Sequence, residues 1–384
     1  MAQPVTRQYA GLISGVLAAL AILGGLWHAA YRAPSAAVVE PAAVTNPAEA
    51  WQTKAVRVVD GHITASRHSD EPGFPAVNCI VPPDELYDLP AGKGEIVSLQ
   101  GAAVKTAPAK QVTWLQDSDM VFGIQLYGHK RCYPRNILAR HCLINDTLAG
   151  EPILIYFDPP SDACVAFMRP EKGGAAYSFA ASGLGYRGMG LPYDEQTESL
   201  WDPLGGEAIV GTAVGQAAKL KQIAGEWMTW AAWQELWPDT TVLSRDTGHE
   251  YDYSFDPYTR VQGPDGEPLS YYESELLLAP EELSDQSGTM ADKAEVLGVM
   301  LLDEALAVPV AEALAGAGDE PRTFTQDSRF GQLELKVDPE AQRLYLTMPG
   351  NVRPAQVRMF WYAWRARHPD TDVWRIEGET EQES

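Results

Sequence analysis

Basic residues are the first shortage in this chain. Against 52 Asp and Glu it carries only 29 Lys and Arg, a formal net charge of −23. Phosphate backbones are bound by clustered Lys and Arg, so the composition argues against a nucleic-acid partner. Cysteine is scarce too. Cys79, Cys132, Cys142 and Cys164 are the full set, none of them in a Cys-x-x-Cys pair. They read as a structural disulfide or as buried thiols, and spacing alone does not choose a pairing. Ser199 lacks the flanking glycines of a nucleophile elbow, which disfavours a hydrolase triad with His141. Between Trp51 and Gly92 the chain is poor in helix-compatible sequence, because Pro72, Pro75, Pro82, Pro83 and Pro90 interrupt it.

What the chain does have begins at its amino terminus. Ala10 to Trp27 is an uncharged apolar run, long enough as a helix to cross the hydrocarbon layer. Tyr9, Trp27 and Tyr31 border it as an interfacial aromatic belt would. The run predicts one transmembrane anchor over residues 1–32, with the amino end cytoplasmic and the folded part in the periplasm. A cleaved signal peptide ending near Ala33-Pro34-Ser35 is the alternative, giving a secreted form. Residues 33–50, rich in Ala and Pro, read as a spacer, and residues 377–384 as an acidic tail.

At 384 residues with 45% hydrophobic content, the remainder holds a sizeable core. Eleven tryptophans and 16 tyrosines favour a rigid aromatic interior. After a Pro-rich extension over 51–110, strand is expected within Val112 to Leu126, and a short helix over Asn136 to Leu143 following Pro134. Ile153 to Phe157 reads as a buried strand. Ala163 to Met168 and Ala176 to Ala181 read as a hairpin around Glu171 to Gly174. Glu207 to Val214 is a further strand. Gly225 to Leu236 reads as a helix stopped by Pro238, and Tyr251 to Glu282 as mostly loop.

Two sets of landmarks recur in the same order. Met228 to Trp233, followed by Pro238-Asp239-Thr240, matches Phe360 to Trp364, followed by Pro369-Asp370-Thr371. Val121-Phe122-Gly123 with Pro134 matches Val296-Leu297-Gly298 with Pro309. The pattern predicts an internal duplication: a first lobe at 111–285 and a second at 286–376. The expected fold is therefore a strand-rich α+β body of two related lobes behind one transmembrane helix.

Polar residues concentrate at the two ends of His141 to Trp201. His141, Asn145 and Asp146 pair an imidazole with a nearby carboxylate, as a base or a ligand oriented by an acid would. Asp194, Thr197, Glu198, Ser199 and Trp201 form the second cluster, and a metal ion on His141, Asp194 and Glu198 is one reading of the two together. The competing structural explanation makes Asn145-Asp146 an Asx-type turn and Asp194 or Thr197 a helix cap. Asp158 and Asp162, flanking Pro159-Pro160, read as a polar loop, with metal contact as the alternative.

The spacing of Cys132-Tyr133-Pro134, His141, Asn145-Asp146-Thr147, Asp194, Thr197-Glu198-Ser199-Leu200-Trp201, Trp230, Trp233, Pro238-Asp239-Thr240 and Ser244-Arg245-Asp246-Thr247-Gly248 resembles the bacterial family called domain of unknown function 3179. The likeness runs over roughly residues 110–376. It implies an exported or membrane-attached protein and no defined activity. Family members usually have Glu where this chain has Cys142, and Tyr-Cys-Pro-Leu where this chain has Tyr156-Phe157-Asp158-Pro159-Pro160. The functional expectation is an extracytoplasmic ligand- or metal-binding protein of unspecified chemistry. A non-catalytic subunit docked on a membrane complex is the alternative.

Overall fold

A computed structural model of the chain describes residues 56–65, 73–216, 219–262 and 267–376. The expected anchor, spacer and acidic tail lie outside these residues. No helix among those described is long and apolar enough to cross a membrane.

The framework starts with a hairpin, β1 (Met120–Leu126) and β2 (His129–Pro134), in antiparallel register from Val121↔Pro134 to Leu126↔His129. Tyr127 and Gly128 close it with φ of 48° and 83°, the left-handed pair that a two-residue turn between twisted strands requires. Pro134 ends β2, and helix α1 (Arg135–His141) follows directly. Cys142 stops the helix at φ 57° while its N–H bonds the Leu138 carbonyl at 2.7 Å. A three-stranded meander comes next: β3 (Leu143–Leu148), β4 (Glu151–Asp158) and β5 (Ala163–Met168). Further on, β8 (Gly225–Thr229) leads into α2 (Trp230–Leu236) and β9 (Thr241–Leu243). β8 pairs antiparallel with β1, and β9 pairs parallel with β2.

The same order recurs in the carboxyl-terminal part. Hairpin β10 (Glu295–Leu301) and β11 (Glu304–Pro309) precedes α3 (Val310–Ala317) and the meander β12 (Arg322–Ser328), β13 (Gly331–Asp338) and β14 (Arg343–Thr347). Then β15 (Ala355–Phe360), α4 (Trp361–Arg367) and β16 (Asp372–Val373) follow. β15 pairs antiparallel with β10, and β16 pairs parallel with β11.

One packing device appears in both sets. Trp233 on α2 lies over Gly123 on β1, so closely that a Cβ there would sit 1.9 Å from its ring. Trp364 on α4 lies over Gly298 on β10, where the added atom would be 2.3 Å away. Each indole N–H donates to a threonine hydroxyl at 3.0 Å, Thr240 in the first case and Thr371 in the second. Each helix begins on a tryptophan whose N–H bonds the residue just before the hairpin: Trp230 to the Asp119 carbonyl and Trp361 to that of Ala294. The matched tryptophans, glycines and threonines in the sequence record this wedge, because only glycine leaves room for an indole flat on a strand.

The sets differ in one connection. Residues 348–354 join β14 to β15, whereas residues 169–224 stand between β5 and β8. That longer stretch adds β6 (Phe179–Tyr186) and β7 (Met189–Asp194), which pair with each other in a separate five-stranded sheet also holding Leu86–Asp88, Leu200–Trp201 and Ala208–Val210.

Three local expectations need correction. Gly225 to Thr229 is strand, because Trp227 pairs with Phe122 in the β1 ladder, and Thr229 caps a helix confined to Trp230–Leu236. The strand expected from Val112 begins only at Met120. Phe179 onward pairs with β7 rather than β5, whose partners are β4 and Lys221–Ile223; Gly173 and Gly174 turn only a two-residue ribbon. Strand β4 is buried on both faces. Ile153, Ile155 and Phe157 point into one core, while Leu154 and Tyr156 point into the other. A strand walled on both sides reads as a continuous apolar run.

Candidate functional site

The polar residues singled out from sequence fall into separate groups. His141 is fully buried at the end of α1. Its Nδ1 faces the Val97 carbonyl at 2.7 Å and its Nε2 faces the Tyr253 hydroxyl at 2.6 Å. A carbonyl only accepts, so Nδ1 carries the ring proton, and Tyr253 donates to Nε2. Tyr253 in turn receives the Thr247 hydroxyl proton at 2.7 Å. Burial pushes the His141 pKa down to about 4, and burial lifts that of Tyr253 to about 12. The chain of donors is a neutral brace tying α1 to the 247–253 loop.

Asn145 and Asp146 brace other elements. The Asn145 amide exchanges two hydrogen bonds with the backbone of Phe179, 2.9 Å and 2.8 Å, pinning β3 to β6. Asp146 takes Arg131 at 2.6 Å, the Tyr133 hydroxyl at 2.8 Å and the Thr147 N–H at 2.6 Å. The structure does bring Asp194, Thr197, Ser199 and Trp201 together. Asp194 accepts from the Thr197 N–H and hydroxyl, both at 2.6 Å, and from the Trp201 indole at 2.9 Å. Thr197 contacts the Ser199 hydroxyl at 2.8 Å, which also receives the Ala213 N–H at 2.9 Å. Asp194 and Ser199 thus accept from neighbouring protein donors. Glu198 points away to the surface and pairs with Lys93 at 2.7 Å. Among the described residues no group of three or more His, Cys, Asp and Glu is arranged to hold a metal ion. All four cysteines are free; Cys132, Cys142 and Cys164 are buried, and burial lifts their thiol pKa values.

A different set of side chains meets in an open cleft of about 540 Å³. Asp162 lies in the turn between β4 and β5, only 4% exposed, at φ 55°. That left-handed conformation is uncommon for a residue with a side chain and marks a position held by its surroundings. Arg135, the first residue of α1, brings Nη2 to 2.6 Å from Asp162 Oδ1 and Nε to 3.1 Å from Asp256 Oδ2. Its guanidinium lies 4.5 Å from the Tyr272 ring centre, and Tyr272 donates to the same Asp256 oxygen at 2.8 Å. From the other set of elements, Glu295 at the start of β10 pairs with Arg358 of β15 at 2.5 Å.

Asp162 and Glu295 form one coupled carboxyl pair. Burial, opposed by Arg135 and reinforced by the Glu295 charge, lifts Asp162 to a pKa of about 7. Burial also disfavours the charged form of Glu295, but the Arg358 guanidinium outweighs it and holds Glu295 below its usual value. Each carboxyl acts on the ionisation of the other, so a shared proton belongs to the pair rather than to either residue. Despite its ion pair, Asp162 Oδ1 has no hydrogen bond of regular geometry. Lys293 completes the cleft; its Nζ bonds the Tyr271 carbonyl and lies 4.2 Å from the Tyr271 ring centre. Burial lowers its pKa to about 8.

A smaller cavity of about 230 Å³ lies against Glu226, but that carboxylate is committed to Arg343 and Arg353. Poised charge favours the larger cleft over the smaller cavity. Sequence reasoning passed over it because its charges come from four distant stretches. Only Asp162, following Pro159-Pro160, stood out.

A family model described as protein of unknown function (DUF3179) matches residues 93–371. The chain belongs to that family. No curated protein and no solved structure matches it. Cys142 and the end of β4 meet in space: the Phe157 N–H bonds the Cys142 carbonyl at 2.8 Å, and the charge of Asp158 raises the Cys142 thiol pKa further. Asp158 itself is satisfied by Ser161, Gly190 and Tyr156. Cys142, Phe157 and Asp158 thus form a hydrogen-bonded unit next to the turn that holds Asp162.

Proposed function

We propose that the protein is a single-pass, inner-membrane-anchored binding protein whose periplasmic part consists of two related lobes, and that the cleft at Asp162 holds its ligand. The apolar run at Ala10–Trp27 supports the anchor, with the cleaved, secreted form as the variant on that reading. The recurring element order and the paired tryptophan wedges support the relation between lobes. One observation carries the ligand site: Arg135, Asp162, Asp256, Lys293 and Glu295 line one open cleft, with Asp162 held at positive φ. Ionisable groups gathered in a cleft mark it as a candidate binding site.

Two experiments test it. Alkaline phosphatase fused after Ser35 is active if the segment is exported, because that enzyme needs an oxidising compartment; a silent fusion sinks the localisation. Small polar compounds screened by thermal shift against the full chain identify ligands whose stabilisation disappears in Asp162→Asn. A screen in which every hit survives that substitution removes the cleft as the site.

A second reading, a non-catalytic subunit of a membrane complex, has its own support. Tyr127 and Leu302 are 70% and 79% exposed, each first in the turn of its hairpin and each at positive φ. Bulky apolar side chains at such turns carry strain without burial, which a docked partner would justify. Crosslinking from position 302 in membranes tests it: a specific adduct supports the subunit reading, and its absence removes it.

A further inference from the structure

We infer that the cavity beside Glu226 is a second binding site, which takes a small monocarboxylate with a compact apolar body and holds its carboxylate on the Arg353 guanidinium. This cavity shares no lining residue with the cleft at Asp162 and does not depend on it.

Charge comes first. The chain is acidic overall, at −23, yet at this cavity two arginines meet one carboxylate. Arg343 grips Glu226 with two N–H groups, Nε at 2.8 Å and Nη2 at 3.1 Å. That fork already engages both carboxylate oxygens. Arg353 adds a single contact, from Nη2 to Oε2 at 3.4 Å. The three side chains together therefore carry one surplus positive charge. Asp338 also acts on Arg343, more weakly than Glu226 does, and itself accepts the Ala341 N–H. Among the described residues no second carboxylate lies within ion-pair distance of Arg353.

Geometry then makes that surplus usable. Arg353 stands at the end of the short 348–354 connection, where Gly350 and Asn351 turn at positive φ and Pro354 leads into β15. Its Cζ lies 3.7 Å from the Tyr345 ring centre, a close contact that limits the swing of the side chain. A guanidinium has five N–H donors in a planar fork, and Arg353 has committed one. The side chain is 28% exposed, and no nitrogen on it is both buried and unpaired, so the remaining donors are open to a ligand. The other polar walls are engaged: Gln356 exchanges two hydrogen bonds with the Leu346 backbone, and Arg358 is taken by Glu295 and the Gln342 carbonyl. Phe122, Trp227, Leu297, Leu344 and Val357 supply the apolar lining. The cavity measures about 230 Å³, whereas an apolar cavity of about 150 Å³ already admits benzene. One ring or a short branched chain therefore fits, with its charge at one end. A dicarboxylate would press its second charge against apolar side chains, and inorganic phosphate would leave them uncovered.

Titration calorimetry on the full chain at about pH 7, where carboxylates are ionised, tests the site. Benzoate and isovalerate are the probes, benzamide and isovaleramide their neutral matches, and succinate and inorganic phosphate the contrasting anions. At least one of the two monocarboxylates should bind, and its amide should bind at least about tenfold more weakly. Arg353→Met keeps the stem and removes the charge, and should weaken that carboxylate by about 10- to 100-fold. Arg353→Lys should fall between parent and Arg353→Met, because a point charge replaces the fork. Ala224→Leu fills the cavity without touching its charges and should also weaken binding by about tenfold or more. The melting transition of each variant shows whether it is folded, and the comparison of acid with amide needs no variant. Absence of carboxylate binding, equal binding of acid and amide, or binding indifferent to Arg353→Met and Ala224→Leu alike overturns the inference. Binding of succinate or phosphate in preference to both monocarboxylates overturns it as well.

Discussion

The hairpin–helix–meander unit that begins at Met120 and the one that begins at Glu295 share a framework and differ in what is attached to it. Both seat an indole on a glycine, and both return a short parallel strand after the second helix. In the first, α1 ends on a buried histidine and residues 169–224 add a second sheet; in the second, α3 ends at Gly318 and residues 348–354 suffice. The charged cleft belongs to neither unit alone. Asp162 and Arg135 come from the first, Glu295 and Arg358 from the second. The two units share the indole-on-glycine contact, and the charged cleft draws residues from both.

Removing the shared tryptophan wedge carries the largest expected effect. Trp233→Ala and Trp364→Ala should each destabilise by about 3–5 kcal/mol, because both rings are fully buried. Denaturant unfolding of the two variants checks this. If one is lost and the other tolerated within about 1 kcal/mol, the wedges are not energetically alike.

The difference between the units appears next in pH dependence. His141 has a folded pKa of about 4, lower than its ordinary value. A base depressed on folding contributes stability that is complete above its unfolded pKa. That contribution is lost as pH falls from about 6.5 toward 4, to a limit of about 3 kcal/mol. Asp162 works in the opposite direction. Its raised pKa means the folded state holds a proton more tightly, so its contribution declines as pH rises from about 3.8 to 7, partly offset by the depressed Glu295. The acid-side loss should therefore shrink in His141→Gln relative to the parent at matched pH values. A parent and variant whose stabilities run parallel between about pH 4 and 7 would contradict the neutral, buried histidine.

The smallest effect sharpens the hairpin match. Tyr127→Asn and Leu302→Asn place at positive φ a residue that accepts it, and should stabilise by about 0.5–1 kcal/mol each. Loss of stability in either would mean that the turn side chain makes contacts beyond its strain.

Much of the framework was legible because it rests on local rules. Gly123 and Gly298 had to be glycine under an indole, and the twice-buried β4 had to be an unbroken apolar run. Trp227 misled, since tryptophans spaced through Gly225 to Leu236 mimic a helix face although β1 claims the first of them. The polar motif at Asp194 to Trp201 advertised itself through density, yet its bonds close on one another. Asp162 was visible only as part of a proline-rich turn. Its partners Arg135, Asp256 and Glu295 lie far along the chain in both directions, and no periodicity links them.

Titration of the Asp162–Glu295 pair is the most direct test of the cleft. Carboxyl-labelled aspartate in the full chain, followed by carbon NMR through the neutral range, should show a resonance titrating near the pKa of about 7 and absent from Asp162→Asn. A spectrum in which every aspartate has finished ionising by about pH 5 would leave the cleft as an ordinary surface ion-pair cluster and contradict the site.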